Sequence, residues 1–260
     1  MDGLLLFGRY ALAPNVYQYC GPHDSVALRE VLHAYAARGS SASDALTREL
    51  RELFFHFEAA IPYLQLIAHA NGIADVFAAR VVEAYWIGNA LLRRVPAQQL
   101  CRLLEERFRP SMNREDWRSC QTALEVLDAK PVHCFHVFEI YRRVGLLRSR
   151  QKKGDVLGTM DNCRISWGTL KDFLWTGGQP SGATVEYTPL TMTDSGTVDF
   201  GSPVIRVCQL SDPAHLTARR GDTVALHWGF VCDVLSRRQR ESIERWTRHH
   251  FTLLQSVPRS

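Results

Sequence analysis

The sequence predicts an α+β protein: an N-terminal all-helical domain followed by a small OB-like β-barrel with a C-terminal helix. Three observations carry this expectation. Apolar residues recur at helical spacing up to about residue 148. Beyond the basic stretch RSRQKKGD (148–155), Gly, Thr and Val become frequent and alternation replaces the helical period. Near the C-terminus Ser236 is followed three residues later by Gln239, a capping box that opens one last helical run. The expected domains are 1–150 and 155–260, the second folding as a unit of its own.

The opening MDGLLLFGRYALAPN has Asp2 where a secretion signal carries positive charge. Its apolar run ends at Phe7, well short of the roughly 18 residues of a membrane-spanning segment. A cytoplasmic protein with no membrane association is expected. Asp24 reads as the cap of a helix in which Leu28, Val31, Leu32 and Tyr35 share a face, stopped by Gly39. Leu46, Leu50, Leu53 and Phe57 repeat the stripe before Pro62. PYLQLIAHANG ends on Asn71-Gly72, and DVFAARVVEAYW opens on Asp75. Leu100, Leu103, Leu104 and Phe108 form another face, as do Trp117, Cys120, Leu124 and Leu127. HCFHVFEIY mixes β-branched and aromatic residues, and its position favours a final helix. The helical half thus holds about six or seven helices.

The strand candidates are VLGTMDNCRISWGTL, ATVEYTPLTM, TVDFGSPVIRVCQL and GDTVALHWGFVCDVL, with turns at WTGGQPSG and TDSG. Residues 221–245 read as a strand running straight into the capped helix. Ile243, Trp246, His250 and Leu254 give that helix a face.

Composition narrows the function. With 46% hydrophobic and 22% charged residues, the 260-residue chain is ordinary globular protein. A net charge of +4 is too small to imply nucleic acid. Arg142, Arg143, Arg148, Arg150, Lys152 and Lys153 concentrate charge in one segment, read first as a solvated connector and second as an attractor of phosphate or an acidic partner. Seven cysteines without a C-x-x-C pair argue against a disulfide framework and against a zinc ribbon. Neither a phosphate-binding loop nor a dinucleotide fingerprint is present.

Cys163, in DNCRISWG within a predicted strand, and His227, in an apolar run, would each alone be a packed core residue. Together they supply a thiolate and an imidazole, a donor pair suited to Fe, Zn or Cu. Residues 197–250, TVDFGSPVIRVCQL followed by GDTVALHWGFVCDVLSRRQRESIERW, resemble the HypC/HupF family of nickel-iron hydrogenase maturation chaperones. Asp222, Val224, His227, Gly229 and Phe230 fall in order on that family's Gly-Asp-x-Val-Leu-Val-His-x-Gly-Phe-Ala pattern. Cys163 with Gly168 five residues later reproduces its Cys-to-Gly spacing. Two departures stand out: Cys163 is internal rather than next to the initiator methionine, and Trp167 replaces a proline. About fifteen residues around WTGGQPSGATVEY are also added.

The resemblance implies an accessory or chaperone protein that holds or delivers iron, carried as a cyanide- or carbonyl-bearing fragment. Cys163 would be the thiolate ligand and His227 the second ligand or proton partner. The implied partner is the hydrogenase large subunit or another maturation protein. The helical half has no counterpart in that family and carries candidates of its own. APNVYQYCGPHD groups Cys20, His23 and Asp24, and PVHCFHVF sets His133 and His136 one turn apart. Packing and helix capping explain these residues without chemistry. Their other reading is a metal-dependent enzyme in the helical domain, with the barrel as docking module; a metal-free interaction scaffold is the third. As a whole the chain also looks like an uncharacterised bacterial family that shares the Tyr-Cys-Gly-Pro and Glu-Ala-Tyr-Trp motifs.

Overall fold

Asp2 starts the first helix, its carboxylate accepting from the Leu4 and Leu5 N–H groups. A computed structural model describes residues 2–141, 143, 156–211 and 217–255. The basic stretch 144–155 and Arg142 lie outside the described residues, as does the side chain of Leu254. Helix α1 (Gly3–Val16) is buried on all sides, with Phe7, Tyr10, Ala11 and Ala13 inaccessible. Phe7 meets Phe54, Phe57 and Phe77 edge-on with centroids 4.7–5.5 Å apart, so this one ring ties three later segments to the hub.

Helices α2 (Ser25–Arg38), α3 (Asp44–Phe55) and α5 (Ala79–Trp86) pack on α1, α4 (Ile61–Ala70) packs on α5, and α6 (Ala97–Arg107) and α7 (Arg114–Leu127) follow beyond α4. Asp24 caps α2 and Gly39 ends it, as the sequence predicts. Helix α5 begins later than Asp75, whose carboxylate is occupied by the Phe77 N–H in the preceding turn. HCFHVFEIY is helical: α8 (His133–Phe135) runs on as a π-helical turn, His136–Tyr141, a local widening often found at functional sites.

The VLGTMDNC segment corrects the sequence reading. It is a helix, α9 (Val156–Cys163), so Cys163 ends a helix and does not lie in a strand. Strands β1 (Ser166–Thr176), β2 (Gln179–Tyr187), β5 (Val204–Leu210), β6 (Thr223–His227) and β7 (Phe230–Val234) close a barrel in the order β1-β2-β5-β7-β6. Strands β3 (Leu190–Met192) and β4 (Val198–Phe200) form a separate ribbon. Residues 221–245 are likewise corrected: two strands, turning at Trp228-Gly229, precede the helix. The last helix, α10 (Arg237–Gln255), opens on the expected capping box, with Ser236 Oγ accepting from Gln239 N–H and Gln239 Oε1 from Ser236 N–H.

One apolar cluster runs through both halves. It joins α1, α4, α5 and α8 to Trp228, Phe230 and Cys232 of the barrel hairpin and to Ile243 and Phe251 of α10. A second, smaller cluster fills the barrel interior, around Leu170, Val185, Val224 and Val231. The Arg9 guanidinium of α1 pairs with Asp233 of β7 at 3.3 Å, both nearly buried, which fixes the barrel against the hub helix.

Candidate metal centre

Three elements deliver three donors to one point. His133, Cys163 and His227 place their ligand atoms within 4.8 Å of one another. His227 ends β6. The next two residues, Trp228 (φ +50°) and Gly229 (φ +77°), both have positive φ, the requirement of a tight two-residue hairpin turn. A tryptophan there is strained, and three contacts hold it. Its N–H donates to the Asn162 carbonyl at 2.8 Å, its ring stacks on Tyr19 at 4.0 Å, and Tyr17 lies against it at 6.1 Å. Asn162 precedes Cys163, so the bond that holds the turn also brings thiol and imidazole together.

Hydrogen bonds fix the tautomers, because a carbonyl oxygen can only accept. His227 Nδ1 donates to the Tyr10 carbonyl at 2.8 Å, which leaves Nε2 of the neutral ring as a bare lone pair. That atom is buried and makes no full hydrogen bond among the described residues, although the Cys163 carbonyl lies near enough to pull the His227 pKa weakly upward. His133 Nε2 donates to the Cys163 carbonyl at 2.8 Å, while its Nδ1 accepts from the Tyr85 hydroxyl at 3.1 Å. Cys163 Sγ stands 3.9 Å from His133 Nε2. His136, one turn on, bonds Tyr63 through Nδ1 at 3.2 Å.

These groups face a cavity of about 70 Å³, also lined by Cys20, Tyr19, Trp86 and Trp228. Burial rules its electrostatics, since a charged form without water or a counter-ion is unfavourable. His133 is pushed down to about 4, against the weaker upward pull of the Cys163 carbonyl. Burial and then neighbouring His133 bring His136 to about 3. His227 is depressed well below its ordinary value by burial, then by His133. Burial raises the Cys163 thiol to about 12 and drives Cys20 far up as well. Near neutral pH the cluster is therefore three uncharged imidazoles and two thiols. The indole N–H of Trp86 is a further buried polar atom with no hydrogen-bond partner among the described residues, while that of Trp228 faces the Cys163 sulfur and pulls its pKa weakly down.

The donor set fits a metal ion. A tetrahedral ion with bonds of about 2.0–2.3 Å holds its donors about 3.3–3.8 Å apart, so the 3.9 Å pair is almost in place and the widest, 4.8 Å, needs an adjustment of about 1 Å. The lone pair of His227 is already free for it. His133 would give up its bond to the Cys163 carbonyl and turn its proton toward Tyr85, a second-sphere partner of the kind that orients metal-bound histidines.

The structure unites candidates that the sequence kept apart. Cys163 and His227 come together with His133 from the helical half, and His136 and Cys20 line the same cavity. His23 and Asp24 are not brought there: both are exposed, and the Asp24 carboxylate caps α2 through the Val26 and Ala27 N–H groups. Asn15 holds the Cys20 loop in place, its amide donating to the Cys20 and Pro22 carbonyls at 3.0 and 2.7 Å. Gly21 (φ +91°) is required in that loop, because a Cβ would lie 2.4 Å from the Phe57 ring. Sequence reasoning marked Tyr85 and Trp86 only as part of the Glu-Ala-Tyr-Trp motif, with no role, and gave Trp228 none; the His-Trp-Gly tripeptide at a strand end was the one available signal for the last.

Fold and site together define a class: an α+β protein whose helical half and five-stranded barrel share a Cys-His-His cluster with both histidines buried and the cysteine half-buried. The chain belongs to the family of unknown function DUF6390, whose profile matches residues 1–259. Among curated proteins and among solved structures, nothing matches the chain. No helix among the described residues is long and apolar enough to cross a membrane.

Proposed function

We propose that the chain holds a transition-metal cargo, iron, on Cys163, His133 and His227, and acts as an accessory protein in nickel-iron hydrogenase assembly. It would pass the metal to the hydrogenase large subunit or to another maturation factor. The metal part of this reading is carried by one observation: three donors from separate elements converge within 4.8 Å on a buried, unpartnered histidine lone pair. Sulfur with two imidazoles suits iron, zinc or copper. The hydrogenase part rests on the resemblance of residues 197–250, whose Asp222-to-Phe230 pattern contains the ligand hairpin.

Two features favour a carrier over an enzyme. A cavity of about 70 Å³ is far below the roughly 300–1,000 Å³ of sites for organic ligands, but it admits diatomic ligands such as cyanide or carbonyl. His133 and His136, at about 4 and 3, stay neutral at pH 7 and are poorly matched to acid-base turnover there. A metal-dependent enzyme is the second reading on one observation: three protein donors leave a coordination position open toward the cavity, as catalytic metal sites do.

The test is elemental analysis and infrared spectroscopy of full-length protein purified without oxygen. Iron with cyanide or carbonyl stretches is expected, lost in Cys163→Ala and His133→Ala and kept in Cys208→Ala, Cys232→Ala and His23→Ala. Full iron retention in Cys163→Ala would overturn the reading. Catalytic turnover of a small substrate with the metal retained would select the enzyme.

A further inference from the structure

Helix α5 has a second working face. Tyr85 and Trp86 line the metal cavity, whereas Arg80 and Glu83 open on a groove of about 580 Å³ between α5, the turn Ala90–Arg94 and the first half of α10. Arg80, Arg93, Arg238 and Arg245 line this groove, and all four are exposed. No described carboxylate pairs with any of them; Arg245 only packs over the Trp246 ring at 5.5 Å.

The two glutamates in the groove offset only half of this charge, four guanidinium groups against two carboxylates. Both oxygens of Glu83 are taken, by the Asn89 amide at 2.8 Å and the Gln239 amide at 2.9 Å. Glu241 is drawn to Arg237 at 2.8 Å. The groove therefore keeps an uncompensated positive charge in a chain whose net charge is only +4.

We propose that this groove binds an extended, carboxylate-rich segment of a partner protein. Guanidinium groups recognise carboxylates by paired, charge-assisted hydrogen bonds. Arg238 and Arg245 lie seven residues apart on α10, about 10 Å along its axis, and Arg80 and Arg93 reach the groove from its other wall. An extended peptide in the polyproline II form rises about 3.1 Å per residue and returns to the same face every third residue, so acidic side chains three residues apart match that spacing. One phosphate would span only part of it. The described lining carries no aromatic ring on which a nucleobase could stack. The Ser242 hydroxyl donates to the Gly88 carbonyl at 2.6 Å, which joins the groove floor to the end of α5. This inference is independent of whether the cluster on the other face holds metal.

The experiment uses the full chain and a fluorescein-labelled octaglutamate peptide, read by fluorescence anisotropy at low ionic strength, with octaglutamine as the uncharged control. Binding of octaglutamate alone is expected. The double variant Arg93→Glu with Arg238→Glu should weaken it by about tenfold or more. A glutamate at 238 stands in the first turn of α10, where negative charge favours the helix, so the fold is kept. Arg48→Glu with Arg107→Glu, the same charge change at exposed sites outside the groove, should leave binding within about twofold of wild type. Equal loss in the two double variants, no octaglutamate binding, or displacement of the peptide by inorganic phosphate at matched ionic strength would each overturn the proposal.

Discussion

Replacing Asp161 by alanine tests whether the helix that presents Cys163 is bolted to the barrel. Asp161 accepts from Arg164 Nε at 2.9 Å, the Tyr187 hydroxyl at 3.1 Å and the Leu190 N–H at 2.9 Å. It thereby binds α9 to β2 and β3. Arg164 is only 1% exposed, and without Asp161 it keeps the Thr188 carbonyl at 2.6 Å and the Phe200 ring at 5.5 Å. Breaking a buried ion pair by removing one partner costs about 3–5 kcal/mol, because the other charge is left without compensation. The Leu190 amide also loses its acceptor, which puts the expected loss at about 4 kcal/mol or slightly more. The assay is equilibrium unfolding of the full chain in urea, followed by tryptophan fluorescence. Asp161→Leu combined with Arg164→Met removes both charges and should recover more than half of the loss. Because Asp161 lies two residues before Cys163, the single variant should also raise the rate at which maleimide labels that thiol, located by mass spectrometry. A single-variant cost under about 1 kcal/mol, or a double variant as unstable as the single losses added, would refute the reasoning.

Ser236→Ala removes the acceptor for the Gln239 N–H at the start of α10 and should cost about 1 kcal/mol in the same assay. Acid should destabilise the fold through buried histidines: burial holds His133, His136 and His250 at about 4, 3 and 3, against about 6.5 in the unfolded chain. The unfolded state then binds more protons, so their contribution is whole above about pH 6.5 and falls as pH drops toward the folded values, by about 4 kcal/mol per pH unit near pH 5; a flat stability profile there would contradict it. Residues 155–260 made alone would expose Trp228, Phe230, Cys232, Ile243 and Phe251, which pack in the cluster shared with the helical half. That fragment should unfold without cooperativity in circular dichroism and regain it when co-expressed with residues 1–150.

The division into helical and barrel halves could be read from the sequence, because the apolar period changes from helical spacing to alternation near residue 155. Helix α1 could not, for a helix buried on every side carries no stripe: Leu4, Leu6, Phe7, Tyr10 and Ala13 leave no polar face to mark it. VLGTMDNC has the Val and Thr of a strand, yet its Asp161 contacts hold it as a helix, a tertiary effect with no local signature. The Trp228-Gly229 turn escaped notice since a bulky residue at positive φ breaks the usual turn chemistry, and stacking on Tyr19 is what compensates. For the site, Cys163 and His227 were found through motif spacing. His133 stood in a separate candidate set, 30 residues before Cys163 in the chain, because only the packing of α8 against α9 and β6 joins them. Asp24 behaved as an acidic residue ahead of an apolar run should, as a cap.

The barrel is not equally strong all round. Strands β5 and β7 run parallel and, among the described residues, share the pairs Gln209↔Phe230 and Leu210↔Val231 with a further bond from the Ser211 N–H to the Val231 carbonyl, whereas β2 lies along β5 from Gly182↔Gln209 to Tyr187↔Val204. A cylinder breathes where its staves are least joined. One lip of that seam is the hairpin that carries His227, and the Gln209 N–H closes it through the Gly229 carbonyl at 2.9 Å. Opening along this line would swing the hairpin as a door hinged on β6, leaving β1 and β2 latched. Amide exchange at Gln209 and Ser211 should then outpace exchange at Val185, and the imidazole would be the first part of the cluster to meet water.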